Sequence, residues 1–111
     1  MAGEDAVARL MLRNGFRLIA RNYTVQGIGE LDLVFLRDST IYVVEVRSRL
    51  TSDWQSPIES IAGSKRRKVL RTARIFMCRE GYNEYDVIFL AGCVTHNREG
   101  LVQKIEIIPF E

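Results

Sequence analysis

Apolar positions change their period along the chain, and each change marks an element. Over residues 4–14, Glu4, Val7, Ala8 and Met11 fall at i, i+3, i+4 and i+7, one stripe of a 3.6-residue repeat, so the segment predicts a helix. Asn14-Gly15 should stop it, because glycine takes the left-handed conformation without steric cost. A carboxylate, Glu4, shares the inward stripe with three apolar residues. Residues 16–24 (FRLIARNYT) read as a strand, Gly27 and Gly29 as a turn, and residues 30–37 and 40–49 as two more strands. The last of these, TIYVVEVRSR, is dense in β-branched side chains.

Residues 50–55 read as a loop carrying Trp54, an aromatic that either packs on the domain or stacks on a base. Ser56-Pro57-Ile58-Glu59 has the marks of a helix start, with a capping serine, proline at the first position and a glutamate that completes a capping box. Gly63 interrupts, and Ser64 offers a second start. From Lys65 to Arg79 the stripe is Val69, Leu70, Ala73, Phe76 and Met77, and Gly81 ends the helix. Residues 85–95 and 102–110 read as two final strands around a polar turn at 97–100, with His96 in that turn and exposed. The order is α-β-β-β-α-β-β, without repeat or linker, in one domain covering residues 1–111.

Candidate chemistry lies in the hairpin of residues 30–47. A loop of two residues (Asp38, Ser39) or of four (Arg37 to Thr40) gives one register: Glu30 faces Arg47, Asp32 faces Glu45, and Val34 faces Val43. Residues two apart share a face, so Glu30, Asp32, Glu45 and Arg47 project together. Carboxylates directly opposed on neighbouring strands repel, with β-carbons roughly 4.5–5.5 Å apart. Strands this apolar belong at the sheet centre, where charge is hard to solvate. Relief comes from a retained proton, from a neighbouring cation, or from a divalent ion. Oxygen donors with no nearby His or Cys favour Mg²⁺ or Mn²⁺ over zinc. The plainer alternative is a salt-bridged strand face with Arg47 as counter-charge.

The chain is 47% hydrophobic and 27% charged, ordinary for one globular core. Its net charge is only +2, but the distribution is uneven. Lys65, Arg66, Arg67, Lys68, Arg71 and Arg74 form a basic block, while acidic residues gather near Glu30, Asp32 and Glu45. A basic surface beside an acidic point suits a polyanion held over a metal; the alternative for the block is a solvated helix face. No apolar run approaches the roughly 20 residues that span a bilayer, and MAGEDAVARL lacks the apolar stretch of a signal peptide. The expectation is a cytoplasmic protein without a membrane partner, its two cysteines, Cys78 and Cys93, reduced and buried, Cys78 in the core or at its edge.

GELDLVFL followed by VVEVRSR resembles the D…(E)xK pattern of the PD-(D/E)xK nucleases. The whole chain resembles the YraN-like family of small bacterial proteins through an ordered set: Gly3-Glu4, Asn22, Gly29-Glu30-x-Asp32, Val44-Glu45-Val46-Arg47, Lys65 and Asp86-Val87. This resemblance implies a restriction-endonuclease-like α/β fold, a central mixed sheet flanked by helices, similar also to archaeal Holliday-junction resolvases. It implies Asp32 and Glu45 as the carboxylates that hold Mg²⁺ or Mn²⁺, the Val46 carbonyl as a third ligand, Glu4 as an outer or additional acidic ligand, and Arg47 as the basic residue of the site. By analogy with resolvases it also suggests a homodimer.

The chain departs from the nuclease pattern twice. Arg47 stands where the strict pattern has lysine; arginine stays protonated, so it orients or stabilises charge and cannot act as a base. Lys65 supplies an ammonium if its helix packs over the site. Glu84 and Tyr85 occupy positions before Asp86 where an arginine is expected. The function expected is Mg²⁺-assisted hydrolysis of phosphodiester bonds in nucleic acid, most simply DNA. Lys65, Arg67, Arg71 and Arg74 would hold the backbone, with Arg9, Arg13, Arg17, Arg21 and Arg49 as flanking charge, while Glu30 would either join the acidic cluster or hold Arg47. The competing expectations are a non-catalytic nucleic-acid-binding module on a nuclease scaffold and a protein-interaction domain.

Overall fold

The computed structural model describes residues 2–51 and 63–110. Helix α1 (Ala2–Arg13) leads into strands β1 (Arg17–Val25), β2 (Gly29–Arg37) and β3 (Thr40–Leu50). Helix α2 (Gly63–Glu80) then precedes β4 (Asp86–His96) and β5 (Val102–Pro109). This is the expected order of elements. Gly15 ends α1 with φ 88°, the left-handed stop that its sequence position required. The β2–β3 connection is the two-residue one, because Arg37 pairs with Thr40, and Asp38 accepts a positive φ of 54° there.

The five strands form one mixed sheet in chain order, β1-β2-β3-β4-β5. Three neighbouring pairs are antiparallel, and β3 with β4 is parallel over its whole length. A parallel pair cannot be joined by a tight turn, so the chain must cross over between them, and α2 lies in that crossover. The sheet is covered on both faces. Val7, Ala8 and Met11 of α1 pack with Leu33, Phe35, Val44 and Val94. Val69, Ala73, Phe76 and Met77 of α2 pack with Leu31, Val34, Ile41 and Val43. Neighbours such as Val43 and Val44 thus serve opposite cores, as the two-residue strand repeat dictates.

Several expectations need correction. Leu70 is not in the helix stripe's core; it is exposed, and Thr72 is buried in its stead. The Thr72 hydroxyl is satisfied within the helix, donating to the Lys68 carbonyl at 2.6 Å. Cys93 is buried, but Cys78 lies on the exposed side of α2; both thiols are free. His96 closes β4 rather than sitting in the turn and is only half-exposed, with Nδ1 3.1 Å from the Asn97 carbonyl. Described α2 already includes Gly63 and Ser64, so Ser64 does not begin it. The helix start at 56–59 and Trp54 lie outside the described residues. Among the described residues no helix is long and apolar enough to cross a membrane.

Candidate functional site

The β2–β3 hairpin has two unlike halves. From the turn to Leu33↔Val44 it is an ordinary ladder in the expected register, with Val34 opposite Val43. Beyond that pair the backbones part, and side chains take over the bonding. The Val46 N–H donates to Asp32 Oδ2 at 2.7 Å, and the Asp32 N–H donates to Glu45 Oε2 at 3.1 Å. The two carboxylates are therefore brought together as expected, each also capping a backbone N–H of the other's strand. The same divergence corrects the expected Glu30–Arg47 apposition. Glu30 is paired to Thr24 of β1, and no ion pair joins it to Arg47 among the described residues.

The splaying coincides with a break in strand alternation. Leu31 packs in the α2-side core and Leu33 in the α1-side core, although residues two apart in a regular strand share a face. Asp32 stands at the break. Across from it, between the pairs Arg21↔Leu33 and Tyr23↔Leu31, Asn22 has φ 51°. With its amide turned to satisfy both partners, the Asn22 nitrogen lies 3.3 Å from Glu4 Oε1 and 3.3 Å from Glu30 Oε1. Glu4, buried on the inner stripe of α1, is also approached by Arg21 Nε at 3.6 Å, while Arg21 Nη2 donates to Asp5 at 2.6 Å. Gly29, at the open end of β2, faces α2 so closely that a β-carbon there would sit 2.6 Å from Thr72 Oγ1. Helix packing thus holds this end of β2 where the β3 ladder no longer does.

Electrostatics follow from this geometry. Burial raises the Glu45 carboxyl to about 7, and the charge of Asp32 adds to the effect. Burial also raises Asp32, against the hydrogen bond from Val46; the charges of Glu4 and Glu30 raise it further. The cation that lowers both is Lys65, in the first turn of α2. Lys65 therefore comes within electrostatic reach of the acidic pair, as its place on the second helix allowed. Arg47 sits beside Cys93 in the parallel register, and its charge is felt at that thiol, which burial raises. Arg67, Arg71 and Arg74 are exposed along α2.

Two residues of the cluster were harder to read in advance. Asn22 was visible only as one mark of the resemblance, and Arg21 only as one of several flanking arginines. The available signal was a polar Arg-Asn pair inside an otherwise apolar strand, facing the early acidic residues of α1.

The donor set fits a hard divalent cation in part. Among the described residues no three His, Cys, Asp or Glu side chains form a ready-made metal cage. Asp32 and Glu45 each keep a second oxygen, Oδ1 and Oε1, without a hydrogen bond among the described residues. The Val46 N–H points to the β2 side, and in a strand the N–H and C=O of one residue point the same way, so its carbonyl is directed to that side as well. Two carboxylate oxygens and one carbonyl suit an ion that keeps several waters, as Mg²⁺ does.

Fold and site together define an α/β protein whose five-stranded mixed sheet carries a buried glutamate, Glu45, beside a half-buried aspartate, Asp32, at a splayed hairpin. The chain belongs to the uncharacterised protein family UPF0102, whose model matches residues 3–90; this is the small bacterial family to which the ordered set of residues pointed. It is 40% identical over 87 residues to a UPF0102 protein of Prosthecochloris aestuarii, covering 78% of this chain and 68% of the relative. A UPF0102 protein of Moorella thermoacetica is 32% identical over 106 residues, 96% of this chain and 88% of that one. A UPF0102 protein of Myxococcus xanthus is 37% identical over 95 residues, 82% and 75% of the two chains.

Proposed function

We propose that this chain is a nucleic-acid-binding protein of the restriction-endonuclease-like type, built for divalent-metal-dependent hydrolysis of phosphodiester bonds in DNA. One observation carries the reading: two carboxylates meet where the central hairpin opens, each with an oxygen to spare and with Lys65 as their shared cation. Asp32, Glu45 and the Val46 carbonyl would hold Mg²⁺ or Mn²⁺, which when bound polarises a phosphate oxygen and acidifies a water. Lys65 brings an ammonium to the rim of the pair, the place where a phosphate would lose its solvent. Arg47, one step along the same strand face, orients or neutralises a phosphate but moves no proton. Glu4 acts from α1, held by Arg21 and Asn22, and sets the charge around Asp32. Arg67, Arg71 and Arg74 continue the positive surface along α2 and would track the DNA backbone without reading its bases.

A second reading, a binding module without chemistry, is favoured by the two backbone hydrogen bonds, which give both carboxylates a structural occupation in the absence of any reaction.

Calorimetric titration of Mg²⁺ and Mn²⁺ into the wild type and Asp32→Asn separates the two. The asparagine side chain still offers a carbonyl oxygen to the Val46 N–H, so the fold is retained. Binding lost in the variant, together with cleavage of branched or linear DNA, supports the nuclease reading. Salt-sensitive DNA binding that persists in Asp32→Asn without metal uptake supports the module. Absence of both metal and DNA binding overturns the proposal.

A further inference from the structure

Helix α2 lies chiefly over β2, and on its far side a groove of about 270 Å³ is left against the first half of β4. Leu70, Arg74 and Met77 line it from the helix, Val87 and Phe89 from the strand, and Asn83 from the connection between them. Leu70 is 40% exposed and Val87 36%, so apolar surface on both walls meets water. An apolar lining with a few polar groups at its margin is the usual make-up of a ligand site.

The sheet fixes where this groove lies. Val43 packs on the α2 side, so Glu45, two residues on, projects to the same side. In the parallel register Glu45 lies beside Ala91, Val43 beside Phe89 and Ile41 beside Val87. The groove therefore begins roughly 7 Å along the strands from Glu45 and extends to about 13 Å from it, on the same face of the sheet. Its helix rim is basic. Arg67, Leu70 and Arg74 follow at i, i+3 and i+7, so an exposed leucine stands between two exposed guanidiniums on one stripe. Among the described residues neither arginine is held in an ion pair.

We propose that this groove holds an unpaired base of a nucleic-acid strand, whose phosphates run along Arg67 and Arg74 towards the acidic pair. The charge of the rim selects a polyanion, and the apolar walls select one that can present a π-face to Phe89 and Leu70. A duplex keeps its bases stacked inside and offers these walls only sugar and phosphate; a single strand, or the unpaired arm of a branched one, can turn a base into them. The Asn83 amide supplies a donor and an acceptor for the edge of that base. The inference rests on the reading of the acidic pair as a nucleic-acid site and names the form of substrate that reaches it.

Fluorescence anisotropy in EDTA, with a labelled single-stranded oligonucleotide and the blunt duplex of the same sequence, tests binding apart from cleavage. The wild type should bind the single strand more tightly. Leu70→Gln and Val87→Ser should each weaken single-strand binding about tenfold and leave duplex binding unchanged, whereas Leu70→Met should behave as wild type. Arg74→Gln should weaken both and lower the salt dependence of binding by about one phosphate contact. All four positions are exposed or at the groove wall, and circular dichroism should show each variant folded. Equal affinity for the two forms, or Leu70→Gln and Val87→Ser proteins that bind the single strand as wild type does, overturns this proposal and leaves the nuclease reading standing; a groove that serves a peptide would give that result. Single-strand preference without metal uptake in calorimetry supports the groove and sinks the hydrolytic reading. Absence of any DNA binding overturns both.

Discussion

The two halves of the β2–β3 hairpin contain the same kind of strand and end in opposite states. At the turn end, Leu33, Val34, Phe35, Ile41, Val43 and Val44 are fully buried and the backbones are laddered. At the open end, just beyond Leu33 and Val44, the ladder is replaced by two carboxylates that accept from backbone N–H groups of the opposite strand, Glu45 from Asp32 and Asp32 from Val46. The closed half spends its side chains on two cores at once, which leaves no room for function. The open half gives up ladder bonds, and the groups thereby released are the ones that hold charge. A site arises here because regular pairing stops within the sheet rather than at its edge.

The largest effect should come from the closed half. Phe35→Ala removes a fully buried ring that meets Phe16 edge-on, and the loss should be about 3–5 kcal/mol in denaturant titration. A much smaller loss would mean that the closed end does not anchor the hairpin.

The next effect belongs to the open half and depends on pH. Glu45 is raised in the folded state to about 7 from an ordinary 4.5. Between those values the folded protein keeps a proton that the unfolded chain has released. Stability should therefore be greatest at low pH and fall as pH rises from about 4.5 through about 7, by roughly 1–3 kcal/mol. Asp32, raised in the same direction, adds to the slope. Glu45→Gln keeps an acceptor for the Asp32 N–H and should flatten this slope, leaving the variant more stable than wild type at pH 8. Urea titrations of both proteins across this range would check it; a stability that climbs with pH would place the pair in an ion pair or hydrogen-bond network that prefers the charged form.

The smallest effect sharpens the comparison. Lys65 lowers the pKa of both carboxyls, so Lys65→Met should move the Glu45 titration upward. Carbon-detected NMR of the side-chain carboxyls would show the shift, and an unmoved Glu45 would detach Lys65 from the site.

Much of this was legible beforehand. The hairpin register followed from alternation and a short polar turn, both local properties, and it holds wherever the ladder exists. Glu4 was legible as an inward carboxylate because helical spacing fixes faces over a few residues. The Glu30–Arg47 pairing failed because extending a register assumes that the strands remain together, and repulsion between Asp32 and Glu45 with Gly29 drawn to α2 works against that. Leu70 and Thr72 exchanged places because a stripe read from apolarity alone does not anticipate a buried hydroxyl that bonds its own helix. The turn at Asn22 escaped because left-handed backbone within a strand leaves little trace in composition.

The parallel pairing of β3 with β4 joins residue 40 to residue 86 and residue 50 to residue 96. Such a contact closes a long loop before it returns any stabilisation, whereas β1–β2–β3 and β4–β5 are joined by short connections. The two hairpin units should therefore be able to form early and the crossover to dock late. Asp32 and Glu45 belong to the first unit and Lys65 to the crossover, so a nascent chain makes its acidic pair before it has the cation that steadies it.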